Sequence, residues 1–244
     1  FSSAPEIVTL AVLNEGSTSG KGNLSNLKLM FVSTAAEAVK VVKSNDRVYV
    51  QAAAATPSIL TKALAERYSE LRNVEVCHLH TEGEAAYANP DLAESFHVNS
   101  FFIGKNIRHT LKAGNGSYTP VFLSEVPLLF KRNIVAINVA LIHVSVPDIH
   151  GYCSLGVSVE ATLAAIDNAD HVIAQVNKQM PRTFGDGIIH VTEINAFVEC
   201  DEPLPTHPVT VPTAIETKIG DYVANLIEDR STLQMGIGNI PNAV

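Results

Sequence analysis

Apolar positions along this chain recur in two rhythms that alternate from about residue 33 onward. In "STAAEAVKVVK", Ala35, Ala38, Val39 and Val42 fall at helical spacing, and after Asn45-Asp46 the run Val48-Tyr49-Val50 reads as a buried strand. "QAAAATPSILTKALAERYSEL" then predicts a helix, with Thr56 as N-cap, Pro57 at the first helical position and Ile59, Ala63, Leu64 and Tyr68 on one apolar face. "NVEVCHLH" predicts the next strand, Val74 to His80. A helical crossover between two strands implies that they run parallel.

The same alternation continues. "SFFIG" reads as a short strand and "LSEVPLLFKR" as a helix capped by Ser124. "NIVAINVALIHVS" is a near-continuous apolar run, as in a strand buried on both faces. "GVSVEATLAAIDNA" predicts a helix, "DHVIAQV" a strand, and "IIHVTEINAFVE" a further strand-like stretch. The prolines of "CDEPLPTHPVTVP" mark a linker. Beyond it "TAIETKIGDYVANLIEDR" is one amphipathic helix, with Ile215, Ile219, Tyr222, Val223 and Leu226 on its apolar face.

The expected fold class is α/β: an open, mainly parallel sheet with flanking helices. Residues 1–30, rich in Ser, Gly and Asn, read as a tail or linker, residues 31–205 as one domain, and 206–244 as a linker and the start of a second. "DRVYVQAAAATPSIL" and "STLQMGIGNIPNAV" share one grammar: apolar strand, Gln near its end, small-residue loop, proline, helix start. That echo predicts a second, similar domain truncated just after it begins.

Composition narrows the class. The chain has 244 residues, 46% of them apolar and 17% charged, enough to build a large core. Its net charge of −8, without a Lys/Arg block, argues against nucleic acid or an anionic membrane surface as partner. No apolar run approaches the roughly 20 residues of a membrane span. The three cysteines, Cys77, Cys153 and Cys200, are far apart and odd in number, which predicts reduced thiols and a cytoplasmic setting. "FSSAPE" also admits the tail of an organellar presequence, so a mitochondrial setting stays open for a eukaryotic source.

Five stretches are candidates for chemistry. Gly236-Ile237-Gly238-Asn239-Ile240-Pro241 lies between a predicted strand and a predicted helix. It is either an anion cradle of main-chain amides or an ordinary tight turn. Pro241 stands where a dinucleotide fingerprint needs its third glycine, which argues against NAD. Gly114-Asn115-Gly116-Ser117 is a turn that admits a ligand-facing role. In "HGYCSLGVSVEATLAA" Ser154 suggests a nucleophile, but Tyr152 replaces the first glycine of G-x-S-x-G, and Ser158 reads as a helix cap. His78-x-His80, with Glu82 beyond, lacks converging partners at metal-site spacing and reads as a site edge or satisfied hydrogen-bonders. Arg182 in "NKQMPRTFGDG" reads as a solvated loop arginine ahead of a carboxylate clamp.

The stretches "QAAAATPSILTKAL", "GNGSYTPVFLSEVP", "GYCSLGVSVEATLAAIDNADHVIAQVN", "MPRTFGDGIIHV" and "MGIGNIPNAV", in that order, resemble the acetyl-CoA hydrolase/transferase family, most closely its 4-hydroxybutyrate CoA-transferases. The resemblance runs from about Asp46 to Val244. It implies two similar α/β domains with the active site between them, and CoA transfer from an acyl-CoA such as acetyl-CoA to a small carboxylate such as 4-hydroxybutyrate. The family's CoA-binding loop matches Gly236, Ile237, Gly238, Asn239 and Ile240. Its glutamate nucleophile lies a short way beyond that loop, past Val244, so no catalytic residue is expected in this chain, and Glu82, Glu125, Glu160 and Glu193 are not substitutes for it. No metal and no permanently bound cofactor is expected, CoA or acyl-CoA being substrate, and a homo-oligomer is the expected assembly. Gln51, Gly114–Ser117 and Met180–Thr183 are expected to wall the acyl or acceptor pocket. Two readings compete: hydrolysis of the CoA ester within the same family, and a non-catalytic α/β ligand-binding domain.

Overall fold

The computed structural model describes residues 31–206, 211–236 and 238–244, so the predicted 1–30 tail lies outside the described residues. The chain divides into two compact units, one ending at Pro205 and the other spanning Thr206–Val244.

The first unit is built on one parallel sheet of eight strands. In chain order they are β1 (Phe31–Val32), β2 (Arg47–Val50), β3 (Val74–His78), β4 (Phe96–Ser100), β5 (Gly116–Tyr118), β6 (Ile137–Ser145), β8 (Ala169–Asn177) and β10 (Ala196–Cys200). A separate antiparallel pair joins β7 (Tyr152–Ser154) to β9 (Ile188–His190). The spatial order is β1-β10-β8-β6-β2-β3-β4-β5. From β2 the chain winds outward through β3, β4 and β5, then returns to lay β6 on the other side of β2. The strand order therefore reverses between β2 and β6, the place where open α/β sheets form a crevice at their carboxyl ends.

Helices α1 (Ala35–Ala38), α2 (Ser58–Glu66), α3 (Arg108–Ala113), α4 (Val126–Lys131) and α5 (Thr162–Asn168) connect the strands. Side chains alternate across the sheet as strand geometry requires. Val48 and Val50 of β2 enter a core with Leu60 and Leu64 of α2, and Tyr49 enters the opposite core with Phe130 of α4 and Ala165 of α5. β6 is buried along almost its whole length, and each of its fully buried Leu, Ile or Val side chains contributes about 1.5–3 kcal/mol. The expected open, mainly parallel α/β sheet is what forms.

Local expectations fail where tertiary partners take over. Thr56 does not cap α2: its hydroxyl donates to Ala53 O at 2.7 Å and accepts from Glu82 N, and the helix begins at Ser58. The amide of Ile59 is capped instead by Gln175 Oε1 of β8, at 3.0 Å. Ser124 caps nothing either, because a 3-10 turn over Leu123–Glu125 precedes α4. Helix α5 starts at Thr162, so Ser158 is no cap. The strand expected at "SFFIG" is displaced to Phe96–Ser100, where His97 and Asn99 alternate with buried Phe96, Val98 and Ser100. The stretch "IIHVTEINAFVE" is β9, a 3-10 turn and β10 rather than one strand.

The second unit holds α6 (Ala214–Ala224) and α7 (Asn239–Ala243). Thr213 and Glu216 form the capping box that starts α6. Gly220 allows the two helices to approach closely, since a Cβ there would lie 2.6 Å from Ala243 O. The strand predicted for "STLQM" is not formed. Residues 231–236 carry no regular structure, and the described residues of this unit include no strand to pair with them.

Candidate functional site

At the carboxyl ends of the first unit's sheet, β2 stops while β6 runs on. The last main-chain bond between them is Gln51 N to Leu141 O at 3.0 Å. The next amide of β6, His143 N, donates to the side-chain Oε1 of Gln51 at 2.7 Å. Both protons of Gln51 Nε2 go to carbonyls of the following loop, Leu155 O at 3.0 Å and Ser158 O at 2.7 Å. Gln51 is fully buried. It is a strut that fills the switch-point crevice and ties the 155–158 backbone to it, with no polar atom left for a ligand.

Glu160 makes the second tie. Its Oε1 accepts from Ala52 N at 3.2 Å and Thr162 Oγ1 at 2.9 Å, and its Oε2 from Tyr49 Oη at 2.8 Å and Ala161 N at 2.6 Å. Burial raises its pKa, and those hydrogen bonds oppose the rise. Its backbone sits at φ 28°, a region that costs a non-glycine residue on the order of 1–3 kcal/mol.

Ser154 is buried, accepts from Gly156 N and Thr183 N at 3.0 and 3.1 Å, and gives its proton to Thr183. Ser145 Oγ in turn accepts from Ser154 N. Among the described residues no histidine hydrogen-bonds to Ser154, which is a hub that fixes the 180–183 segment, not an activated nucleophile. Burial raises all three thiols, Cys153 to about 12, which removes a thiolate nucleophile as well.

The remaining candidates separate by position. Gly114 is the left-handed C-cap of α3 and Gly116 opens β5, so this loop lies at the amino end of an edge strand, away from the carboxyl ends where the crevice forms. It does not wall that site. Met180–Thr183 follows the carboxyl end of β8, with Thr183 N donating to Ser154 Oγ at 3.1 Å. Arg182 is the exposed loop arginine expected, but it is not free, for it donates to Asp148 Oδ2 at 2.7 Å and Tyr152 O at 2.9 Å. His78 is a buried ring set edge-on to Tyr87, and burial holds it at about 4. His143 is held at about 4 by the same cause. The backbone of Thr56 and Ala55 opposes that shift without giving either ring nitrogen a partner in good hydrogen-bond geometry. Among the described residues no three His, Cys, Asp or Glu side chains converge as metal ligands, and no helix is long and apolar enough to cross a membrane.

An open groove of about 630 Å³ lies beside α2, rimmed by exposed Lys62, Glu66 and Glu84. It is displaced toward β3 and β4 and does not include the switch point.

In the second unit, Gly236, Gly238, Asn239 and Ile240 form one exposed turn into α7, and Ile237 lies outside the described residues. Gly238 has φ 126° and ψ 178°, backbone essentially reserved for glycine. Asn239 Nδ2 donates to Glu216 Oε1 at 2.9 Å, which orients the turn on the start of α6. Beside it an apolar cavity of about 280 Å³ is lined by Val223, Ile227, Leu233, Met235, Ile240 and Pro241.

Glu160 and its donors were not legible as a cluster, because Tyr49 and Glu160 are 111 residues apart. The only local signal was a glutamate just before an apolar helix.

Known proteins place this architecture. The acetyl-CoA hydrolase/transferase N-terminal domain matches residues 28–216. A succinyl-CoA:acetate/propanoyl-CoA:succinate CoA transferase of Fasciola hepatica is 43% identical over 217 residues, covering 88% of this chain and 45% of its own. A 4-hydroxybutyrate coenzyme A transferase of Clostridium kluyveri is 41% identical over 211 residues, covering 86% and 49%. Among solved structures, a 4-hydroxybutyrate CoA-transferase of Porphyromonas gingivalis is similar with a TM-score of 0.72 at 34% identity, covering 87% of this chain and 49% of that one. RipA of Yersinia pestis gives 0.81 at 30%, covering 86% and 52%. The chain thus spans about half the length of the curated relatives it matches. It belongs to the acetyl-CoA hydrolase/transferase family.

Proposed function

We propose that the protein containing this chain transfers coenzyme A between an acyl-CoA, such as acetyl-CoA, and a small carboxylate, such as 4-hydroxybutyrate. Residues 206–244 are then the beginning of a second domain similar to the first. The main-chain amides of Gly236, Ile237, Gly238, Asn239 and Ile240 grip CoA. The observation that carries this reading is Gly238, held at a glycine-only φ and ψ in an exposed turn of a chain from this family. The names of curated relatives, CoA transferases among them for succinyl-CoA and 4-hydroxybutyrate, support the same class.

In the proposed reaction a glutamate carboxylate outside these 244 residues attacks the thioester carbonyl. The acyl group passes to the glutamate as a mixed anhydride and CoA leaves as thiolate. The thiolate then attacks the glutamyl carbonyl of the anhydride, giving glutamyl-CoA and releasing the first carboxylate. The acceptor carboxylate repeats the sequence in reverse. A covalent relay of this kind conserves the thioester's free energy, provided water is kept out. In the first unit, the segment Met180–Thr183, fixed by Ser154, is the part we assign to the pocket.

The test is trapping with hydroxylamine or borohydride on the full-length protein incubated with acyl-CoA, followed by peptide mapping. A labelled glutamate beyond residue 244 and loss of CoA binding in Gly238→Ala support the reading. A label within residues 31–244, or unaltered CoA binding in Gly238→Ala, overturns it. CoA release at full rate without a carboxylate acceptor favours the hydrolase.

A further inference from the structure

The turn after β2 has the same grammar as the glycine turn, yet its surroundings differ. The Glu160 carboxylate accepts from two hydroxyls, Tyr49 Oη and Thr162 Oγ1, which also share a 2.9 Å contact with each other, and from two main-chain amides, Ala52 N and Ala161 N. The four divide evenly, two on each oxygen. No Lys, Arg or His is among them. Each carboxylate oxygen faces one main-chain amide, which can only donate, so the site suits an anion with two accepting oxygens, and a neutral amide would set its NH2 against a main-chain N–H whichever way it turned. Ala52 N belongs to the second residue after β2, in the turn that leads to α2, and Ala161 N immediately precedes α5.

We propose that the β2–α2 turn of the first unit is a carboxylate-binding site which the chain fills with its own Glu160, closing it to outside ligands and locking the 155–161 segment across the switch point. Two further facts favour a ligand role over incidental packing. Glu160 keeps a strained backbone at φ 28° in order to deliver the carboxylate. The neighbouring carbonyls of Leu155 and Ser158 are held independently by Gln51, so the segment has a separate anchor and the carboxylate is not its only tie. This inference concerns the first unit alone and does not depend on CoA transfer.

Truncation at Glu160→Ala removes a methylene and a carboxylate, and acetate is the molecule of that size and charge. Thermal unfolding of Glu160→Ala should show a lowered midpoint that climbs saturably with acetate, as binding to the folded state alone requires. Acetamide at the same concentrations and chloride at the same ionic strength should leave it unmoved, and the parent chain should not respond to acetate beyond the chloride control. An equal response to acetate and acetamide, or an equal response in the parent chain, overturns the proposal. Should Glu160→Ala fold in no condition, hydrogen exchange in the parent chain and in Glu160→Gln decides. The amide substitution should speed exchange at Ala52 or Ala161 by roughly tenfold or more, and unchanged exchange at both refutes the site.

Discussion

Replacing Gln51 by alanine removes three hydrogen bonds at once. The amide of His143 and the carbonyl of Leu155 lie on residues that are 2% and 0% exposed, so neither finds water without local opening. An unmet buried polar group costs about 1–3 kcal/mol, which puts these two at about 2–6 kcal/mol. The carbonyl of Ser158 belongs to a half-exposed residue and rehydrates, so it adds little. A water entering the vacated space would recover part of the loss. The expected destabilisation of Gln51→Ala is therefore about 4 kcal/mol, a large share of the 5–15 kcal/mol typical of a domain. Gln51→Glu keeps the acceptor for His143 N but turns a carboxylate oxygen toward two carbonyls, and should cost at least as much despite its matched shape. Urea unfolding followed by far-UV circular dichroism suits a chain without tryptophan. A loss below about 1 kcal/mol for Gln51→Ala at unchanged m would show that β6 and the 155–158 loop hold together without the strut, and would refute it.

Two more outcomes follow from the same region. His78 and His143 are each held at about 4 in the folded state, against roughly 6.5 when unfolded. Between those values the unfolded chain binds more protons, so stability is full above about pH 6.5 and is lost as pH falls toward 4. From pH 7.5 to 5 each histidine should account for about 2 kcal/mol, and His143→Gln should lose less over that interval than the parent chain in paired urea titrations. Gly156 has φ 68°, and a Cβ there would lie 2.0 Å from Met180 Sδ. Gly156→Ala should lower stability by roughly 1–3 kcal/mol in the same assay, and a neutral result would mean that Met180 is not seated over the turn.

The sheet was legible because its strands declare themselves one at a time. Val48-Tyr49-Val50 and the apolar run ending at Ser145 are buried on both faces, and that burial is written in consecutive residues. Strands with a half-exposed face were not legible for the same reason. β4 has one half-exposed face, so His97 and Asn99 interrupt its apolar signal, and the eye moves on to Phe101-Phe102. Helix starts misled where a distant partner replaced a local one. Thr56 and Ser158 have the right chemistry at the right spacing, but Gln175 caps α2 from 116 residues away, and Gln51 claims the carbonyl of Ser158. Gly114–Ser117 misled through topology: a glycine-rich turn says nothing of which end of a strand it occupies, and here it is the amino end.

The two turns that share a grammar in sequence have opposite fates in structure. In the first, Ala53 takes φ 52° without a glycine, Ala53 N and Thr56 N bond to nearby carbonyls, and Ala52 N is given to Glu160. Small side chains there serve close packing beneath a loop that crosses overhead. In the second, the alanines give way to Gly236 and Gly238, the latter in a conformation alanine avoids, and the turn stays exposed beside an apolar cavity. On the two proposals made above, the physical difference lies in where an anion comes from. A turn supplied with a carboxylate by its own chain needs no backbone reserved for a ligand's approach. A turn that must receive one from solution has to keep its amides uncovered, and glycine is the residue that allows it.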